Sequence, residues 1–255
     1  MKKIQRRTFI GSAVGALSLV SLDLDRNTCT VTSAYKSDEE KRIIKLKGKQ
    51  NSNVLHWDII TIGNLSRNRY WGESDKQAVR SAICTCTVIS GKDFHILVDP
   101  SLENETAMAA ELKRRTGLTS ENIDVVFITH QHGDHIAGLK HFPGARWLAC
   151  SDVAAGLNKS AIYSKQIEAA GNILFDSIDV IATPGHTPDH HSLRFDYIGF
   201  SVLIAGDSVA TKDFWNERRS YYNVMDLEES TRTMGKINEI ADIIVPGHDN
   251  YFFNY

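Results

Sequence analysis

The segment Phe127-Ile128-Thr129-His130-Gln131-His132-Gly133-Asp134-His135-Ile136-Ala137-Gly138 constrains this chain more than any other. Four side chains able to bind a metal, His130, His132, Asp134 and His135, follow directly on the apolar run over residues 124–129. Such a run reads as a buried strand, with Gly133 and Gly138 punctuating what comes after it. Ligands leaving a strand end at alternating positions can point the same way from a tight loop. Neutral imidazoles and a carboxylate suit zinc, and they also accept iron or manganese. A histidine-rich surface loop is the plainer reading, and three further segments argue against it. Thr183-Pro184-Gly185-His186 follows an apolar run at 180–182, Leu203-Ile204-Ala205-Gly206-Asp207 ends another, and Val245-Pro246-Gly247-His248 ends a third. Each sets one candidate ligand at the carboxyl end of an apolar strand, where α/β sheets carry their sites.

The ordered set HxHxDH, TPGH, GD and PGH resembles the metallo-β-lactamase superfamily, and the resemblance covers residues from about 54 to 255. It implies a four-layered αββα sandwich, whereas the strand pattern alone says only α/β or α+β. It also implies two divalent metal ions, with zinc the leading candidate and iron or manganese the alternatives. By that resemblance His130, His132 and His186 hold one ion, Asp134, His135 and His248 hold the other, and Asp207 bridges both. Asp134 would in addition take a proton as a metal-bridging hydroxide attacks the substrate. Asp99, at the end of the strand before a helix, matches a family aspartate that supports the metal loop by hydrogen bonds without binding metal. An ordinary helix cap ahead of Pro100 is the simpler role for the same residue.

A chain of 255 residues can bury a large core, and residues 54–255 read as one catalytic domain. The formal net charge of −2 gives no electrostatic footprint for nucleic acid, and the resemblance implies a small-molecule substrate. No long uncharged apolar run suggests a membrane span. Residues 1–25 combine a basic start with a short apolar run at 11–22, the pattern of an export signal. Arg6-Arg7 followed by Phe9 and Ile10 resembles a twin-arginine signal, which implies a periplasmic or other extracytoplasmic location. An amphipathic N-terminal helix is the alternative. Residues 26–53, polar and charged, read as a linker with at most one helical turn. Cys29, Cys84, Cys86 and Cys150 show neither a disulfide framework nor a thiolate zinc pattern. The sequence is silent on oligomeric state.

Strands are expected over 54–63, 81–90, 94–98, 146–150 and 178–183, with a hairpin of 191–197 and 200–205 about Ile198-Gly199. Helices are expected over 103–116, within 154–170 and over 226–241. His190 and His191 follow the His186 loop, and on a strand only one of them can face the site; His56, His95 and His141 read as structural or exposed. Two loops bear on substrate choice. Residues 64–76 carry Arg67, Arg69, Tyr70 and Trp71 where the family places a mobile flap, and 212–223 carry Phe214, Trp215, Arg218, Arg219, Tyr221 and Tyr222. Their aromatics serve either as a substrate cover or as packing.

The expected function is a dinuclear metal-dependent hydrolase acting on a small ester-like substrate such as a lactone or thioester. An aspartate at 207 looks like the glyoxalase II, lactonase, phosphodiesterase and RNase branches, so antibiotic hydrolysis is disfavoured. Only seven residues follow His248, which leaves no counterpart of the helical domain of glyoxalase II. Ser208, Val209 and Ala210 stand where quorum-quenching lactonases carry a tyrosine, unless Tyr221 or Tyr222 folds back. A phosphodiesterase, with the loop arginines receiving the phosphate, and a mononuclear iron oxygenase of the persulfide-dioxygenase kind are the alternatives.

Overall fold

The computed structural model describes residues 8–13, 16–23, 28–33, 42–45, 47–48 and 52–255. Strands β1 (Thr8–Ala13), β2 (Ala16–Asp23), β3 (Thr28–Ser33) and β4 (Arg42–Lys45) form an antiparallel sheet in that order. The stretch read as linker thus contains strands in place of a helical turn, as the β-branched run at Thr28, Thr30, Val31 and Thr32 favours. The arginine pair proposed as an export signal lies outside the described residues.

Two six-stranded sheets make up the rest. The first runs β10 (Glu168–Ala169), β9 (Arg146–Ala149), β8 (Val125–Ile128), β7 (His95–Val98), β6 (Cys86–Gly91), β5 (Val54–Thr61). The second runs β11 (Ile173–Leu174), β12 (Ile178–Ala182), β13 (His191–Tyr197), β14 (Phe200–Gly206), β15 (Ile243–Pro246), β16 (Phe252–Phe253). Within the first sheet β7, β8, β9 and β10 are parallel neighbours, and within the second β14 and β15 are parallel. Parallel strands deliver their carboxyl ends to one edge, which is where the candidate ligands begin.

Alternation along each strand stacks the layers. Ile96, Val98, Val125 and Phe127 of the first sheet meet Leu193, Phe195, Val202, Ile204 and Val245 of the second in one buried cluster. Their neighbours point the other way: Leu97, Val126 and Ile128 pack under helix α1 (Glu105–Thr116) with Met108 and Leu112. Leu203, Ala205 and Ile244 pack under a helix at Leu227–Ile240 with Met234 and Ile237. Strands buried on both faces read as continuous apolar runs, which is what these segments show. The resulting order of layers is helix, sheet, sheet, helix, the expected αββα sandwich.

Local chemistry sets the element ends. Asn104 caps α1 by accepting from the Ala107 N–H at 2.9 Å, and Gly117 ends it in the left-handed region (φ 77°). Ile198 (φ 52°) and Gly199 (φ 83°) turn the β13–β14 hairpin at the expected residues. The strand expected over 81–90 starts only at Cys86, because Ile83 bridges Asn64 and the Thr85 N–H donates to Gly247 O at 2.6 Å. The helix expected within 154–170 begins earlier, as α3 (Ser151–Ser160), preceded by a four-residue turn α2 (Gly133–Ile136) in the metal loop. Residues 212–223 are not all loop: Thr211 caps a short helix, α4 (Lys212–Asn216), and α5 is the helix at Leu227–Ile240, capped by Asp226. Among the described residues no helix is long and apolar enough to cross a membrane, and Cys84, Cys86 and Cys150 are free and buried.

Phe195 lies wholly buried between the sheets, edge-on to Trp57 at 6.4 Å. Phe195→Ala should cost about 3–5 kcal/mol of stability, read as a lower denaturation midpoint with an unchanged m-value.

Candidate metal centre

Four strand ends supply the site. Residues after β8 carry His130, His132, Asp134 and His135; β12 leads to His186, β14 to Asp207 and β15 to His248. All seven predicted ligands converge. His130, His132, His186 and Asp207 form one group and Asp134, His135 and His248 another, the ligand atoms of each lying within 4.8 Å of one another. Asp207 joins the two groups. Its Oδ2 lies 3.2 Å from His186 Nε2 and 3.9 Å from His130 Nε2, while its Oδ1 lies 3.2 Å from His135 Nε2 and 3.1 Å from His248 Nε2. Asp134 Oδ2 approaches the second group alone, 3.5 Å from His248 Nε2.

The imidazoles are oriented from behind. His135 Nδ1–H donates to Asp99 Oδ2 at 2.8 Å. The same carboxylate accepts from the Thr129 N–H at 2.9 Å and from the Thr129 hydroxyl at 2.7 Å. Thr129 Oγ1, its proton spent on Asp99, can accept from His130 Nδ1–H at 3.1 Å. His248 Nδ1–H points at two carbonyls, Asn64 O at 3.1 Å and Ile83 O at 3.0 Å. A donor at Nδ1 fixes the tautomer and leaves the Nε2 lone pair facing inward. Asp99 therefore does what the resemblance implied, and it also takes a left-handed backbone (φ 51°), a conformation that aspartate tolerates better than most residues.

The electrostatics match a cation. Burial pushes the His130 ring well below its ordinary pKa, lowers that of His132, and takes His186 down to about 4, so all three are neutral at neutral pH. Their inward nitrogens crowd together, with His132 Nδ1 2.9 Å from both His130 Nε2 and His186 Nε2. A ring proton on His132 Nδ1 can serve only one of these contacts well, whereas a cation between the three nitrogens would satisfy all of them. In the second group burial works against a charged ring, but Cys84, Asp207 and Asp99 raise His135, and Asp207 raises His248. Burial likewise opposes a charged Asp207, yet His248, His135 and His186 hold its carboxyl well below the usual range. His135 Nε2 and Asp207 Oδ1 are buried without a hydrogen-bond partner. The residues present fit a pair of divalent ions.

His190, absent from the predicted ligands, is buried beside the cluster. Its Nδ1 pairs with the Thr183 hydroxyl at 2.9 Å, its ring centroid is 5.0 Å from that of His130, and its Nε2 has no partner. Strand alternation turns His191 the other way, toward Asp189 O at 3.0 Å. Alternation did signal that one of the pair faces inward; which one depended on the register of β13. Two glycines have no spare room. A Cβ on Gly206 (φ 52°) would lie 2.8 Å from His190 Nε2, and one on Gly247 would lie 2.0 Å from Asp207 Oδ1.

The two substrate loops meet each other. Leu65 and Tyr70 pack with Ala210, Phe214, Tyr221 and Tyr222, and Tyr70 stands edge-on to Phe214 at 5.0 Å. Most of these aromatics are packing, as the plainer reading had it; Trp71 stays 59% exposed. The Tyr221 hydroxyl folds back onto the first loop, at Ser66 Oγ (3.0 Å) and Arg67 O (3.2 Å), and not onto the candidate ligands. A separate open cavity of about 720 Å³ borders the metal loop at Gly133, lined by Ile136, Lys140, Trp147 and Tyr163.

Comparison with known proteins agrees with this geometry. Residues 80–149 match the model of the metallo-β-lactamase superfamily. The chain is 30% identical over 175 residues to "Beta-lactamase-like protein 2 homolog" of Caenorhabditis elegans, covering 61% of this chain and 56% of the relative. It is 29% identical over 168 residues to a hydroxyacylglutathione hydrolase of Francisella tularensis subsp. novicida, covering 64% and 62%. The match thus spans less than two thirds of either relative. Among solved structures, a quorum-quenching N-acyl homoserine lactone lactonase superposes with a TM-score of 0.61 at 19% identity, covering 78% of this chain and 99% of the other. With the sandwich and its ligand set in view, the chain is similar to the metallo-β-lactamase superfamily, whose model residues 80–149 match.

Asp99→Asn keeps the left-handed backbone accessible but removes the carboxylate that holds His135 and Thr129. Metal affinity should fall about 10–100-fold, measured by chelator competition. Gly247→Ala drives a methyl group into Asp207 Oδ1 and should cut metal stoichiometry while leaving the circular-dichroism spectrum native.

Proposed function

We propose that this protein is a dinuclear metal-dependent hydrolase of small ester-like substrates, a lactone, thioester or related acyl compound. One observation carries the reading: the two oxygens of Asp207 face different ligand groups, each within 3.2 Å of an imidazole nitrogen. A carboxylate so placed can serve one ion through Oδ2 and a second through Oδ1. Two bound divalent ions supply Lewis acidity toward a carbonyl oxygen and a water whose pKa falls from about 15.7 toward roughly 7.

The chain's own residues divide the remaining work. His130, His132 and His186 would hold the first ion as neutral rings; His135 and His248, with Nδ1 committed to Asp99 and to backbone carbonyls, would offer Nε2 to the second. Asp134 is the least buried of the two carboxylates, its side chain 20% exposed against 6% for Asp207. It is the group we assign to accept the proton released by the attacking water.

Two lines support an acyl substrate. A relative named hydroxyacylglutathione hydrolase and fold neighbours that include homoserine lactone lactonases act on such bonds by their names. The arginines that a phosphodiesterase would turn toward phosphate are engaged elsewhere. Arg67 lies over Tyr222 at 4.8 Å, Arg69 pairs with Asp75 at 3.3 Å, and Arg218 lies over Trp215 at 4.6 Å. Zinc is the proposed metal, and export through a twin-arginine signal remains part of the proposal.

Elemental analysis of freshly purified protein should give about two zinc ions per chain, with turnover of one class in a panel of lactone, thioester, β-lactam and phosphodiester substrates. About one iron per chain, with oxygen consumption and no hydrolysis, would replace this reading with the oxygenase. Asp207→Ala should lose at least one ion and nearly all turnover; full activity in that variant ends the bridging assignment.

A further inference from the structure

The loop between Asn64 and Ile83 is joined to a metal ligand at its base. Asn64 and Ile83 pair with each other across an isolated bridge, Asn64 N–H to Ile83 O at 2.8 Å and Ile83 N–H to Asn64 O at 3.1 Å. Those same two carbonyls receive His248 Nδ1–H, and the His248 N–H donates to Ala210 O at 2.9 Å. Ala210 in turn packs with Leu65 and Phe214. The imidazole thus closes the neck of the loop from beneath.

Higher up, the loop is fastened across to residues 214–222. The Tyr221 hydroxyl bridges Ser66 Oγ and Arg67 O, and the Arg67 guanidinium lies on the Tyr222 ring. Within the loop, Val79 N–H donates to Ser66 O at 2.9 Å, and Arg80 pairs with Glu73. Among the described residues, Tyr221 and His248 are the side chains from outside the loop whose hydrogen bonds reach 64–67. At the tip Tyr70 stands edge-on to Phe214, while Arg69 and Lys76 are exposed.

We infer that Tyr221 is a positioning residue that couples closure of the 64–83 loop to occupancy of the second metal position, with His248 as the link. This rests on the dinuclear reading above. The physical chain is short. If the neck parts, His248 Nδ1–H loses both acceptors inside a buried site, and the ring is no longer held with Nε2 toward Asp207. Conversely, a cation on Nε2 makes Nδ1–H a stronger donor and so tightens the neck. A coupling of this kind is reciprocal: what metal does for the loop, the loop does for metal.

The test uses the full chain and zinc alone. Wild-type protein is stripped with chelator, reloaded stepwise, and digested briefly with trypsin, following cleavage after Arg69 and Lys76. The second zinc equivalent should slow that cleavage several-fold, and the first should not. Tyr221→Phe removes only the hydroxyl; it should weaken the second zinc about tenfold, leave the first unchanged, and lessen the protection. Ser66→Ala, which leaves Arg67 O as an acceptor, should show the same effects in smaller measure. A purely structural role would lower both affinities together with the melting temperature of the zinc-free protein. Two zinc ions bound without protection of the loop, or an unchanged second affinity in Tyr221→Phe, overturns the coupling and leaves the dinuclear reading standing. Uptake of a single ion by wild-type protein overturns both.

Discussion

Seven ionisable side chains share one largely buried site with only two carboxylates among them, and that charge imbalance governs what surrounds it. Five imidazoles cannot all be protonated there, because burial and mutual repulsion forbid it. As neutral rings they bring more inward nitrogens together than their own N–H groups can pair, and a cation between them would satisfy the remainder. The surrounding structure settles which nitrogen of His130, His135 and His248 faces inward, through Thr129, Asp99 and two carbonyls. Each of those partners is itself held by a strand end or a turn, so the sandwich is the support for ring orientation.

The sandwich explains why so few residues do so much. Parallel strands β8, β14 and β15 end at one edge, and the sheets face each other through a dry cluster of aliphatic and aromatic side chains. Opposing sheet edges then bring His130 and Asp207 into reach although 77 positions separate them (207 − 130). Backbone packing is close where the two halves meet: glycine at 206 and 247 lets one loop lie against the carboxylate and ring of the other. The left-handed backbone of Asp99 belongs to the same economy, since it lets one carboxylate serve both Thr129 and His135.

The ligand loop and the apolar strands around it were legible from sequence because each depends on local pattern. HxHxDH, TPGH, GD and PGH each follow an apolar run, and runs buried on both faces are hard to mistake. The hairpin turn at Ile198-Gly199 was equally local. What could not be read depended on register or on distant partners. His190 and His191 are interchangeable until β13 is aligned with β12, where Ala182 meets His191. The shortened β6 follows from Gly247, more than 150 positions away along the chain, accepting from Thr85 (247 − 85 = 162). The loop aromatics looked equally suited to covering a ligand or to packing, and only their mutual contacts decided between these.

That last point bears on how such a site can be specific. Residues free to meet a substrate are those the packing leaves over, and in the first loop that leaves the exposed Trp71 while Tyr70 is committed to Phe214. The aromatic clasp costs the loop adaptability but holds its base still, and the base is where His248 finds its two acceptors. A candidate ligand oriented by the neck of a loop is sensitive to what the loop does. On the coupling we infer, a substrate pressing on the loop and a cation drawing on Nε2 of His248 would act on the same backbone, and binding and metal retention would then share one equilibrium.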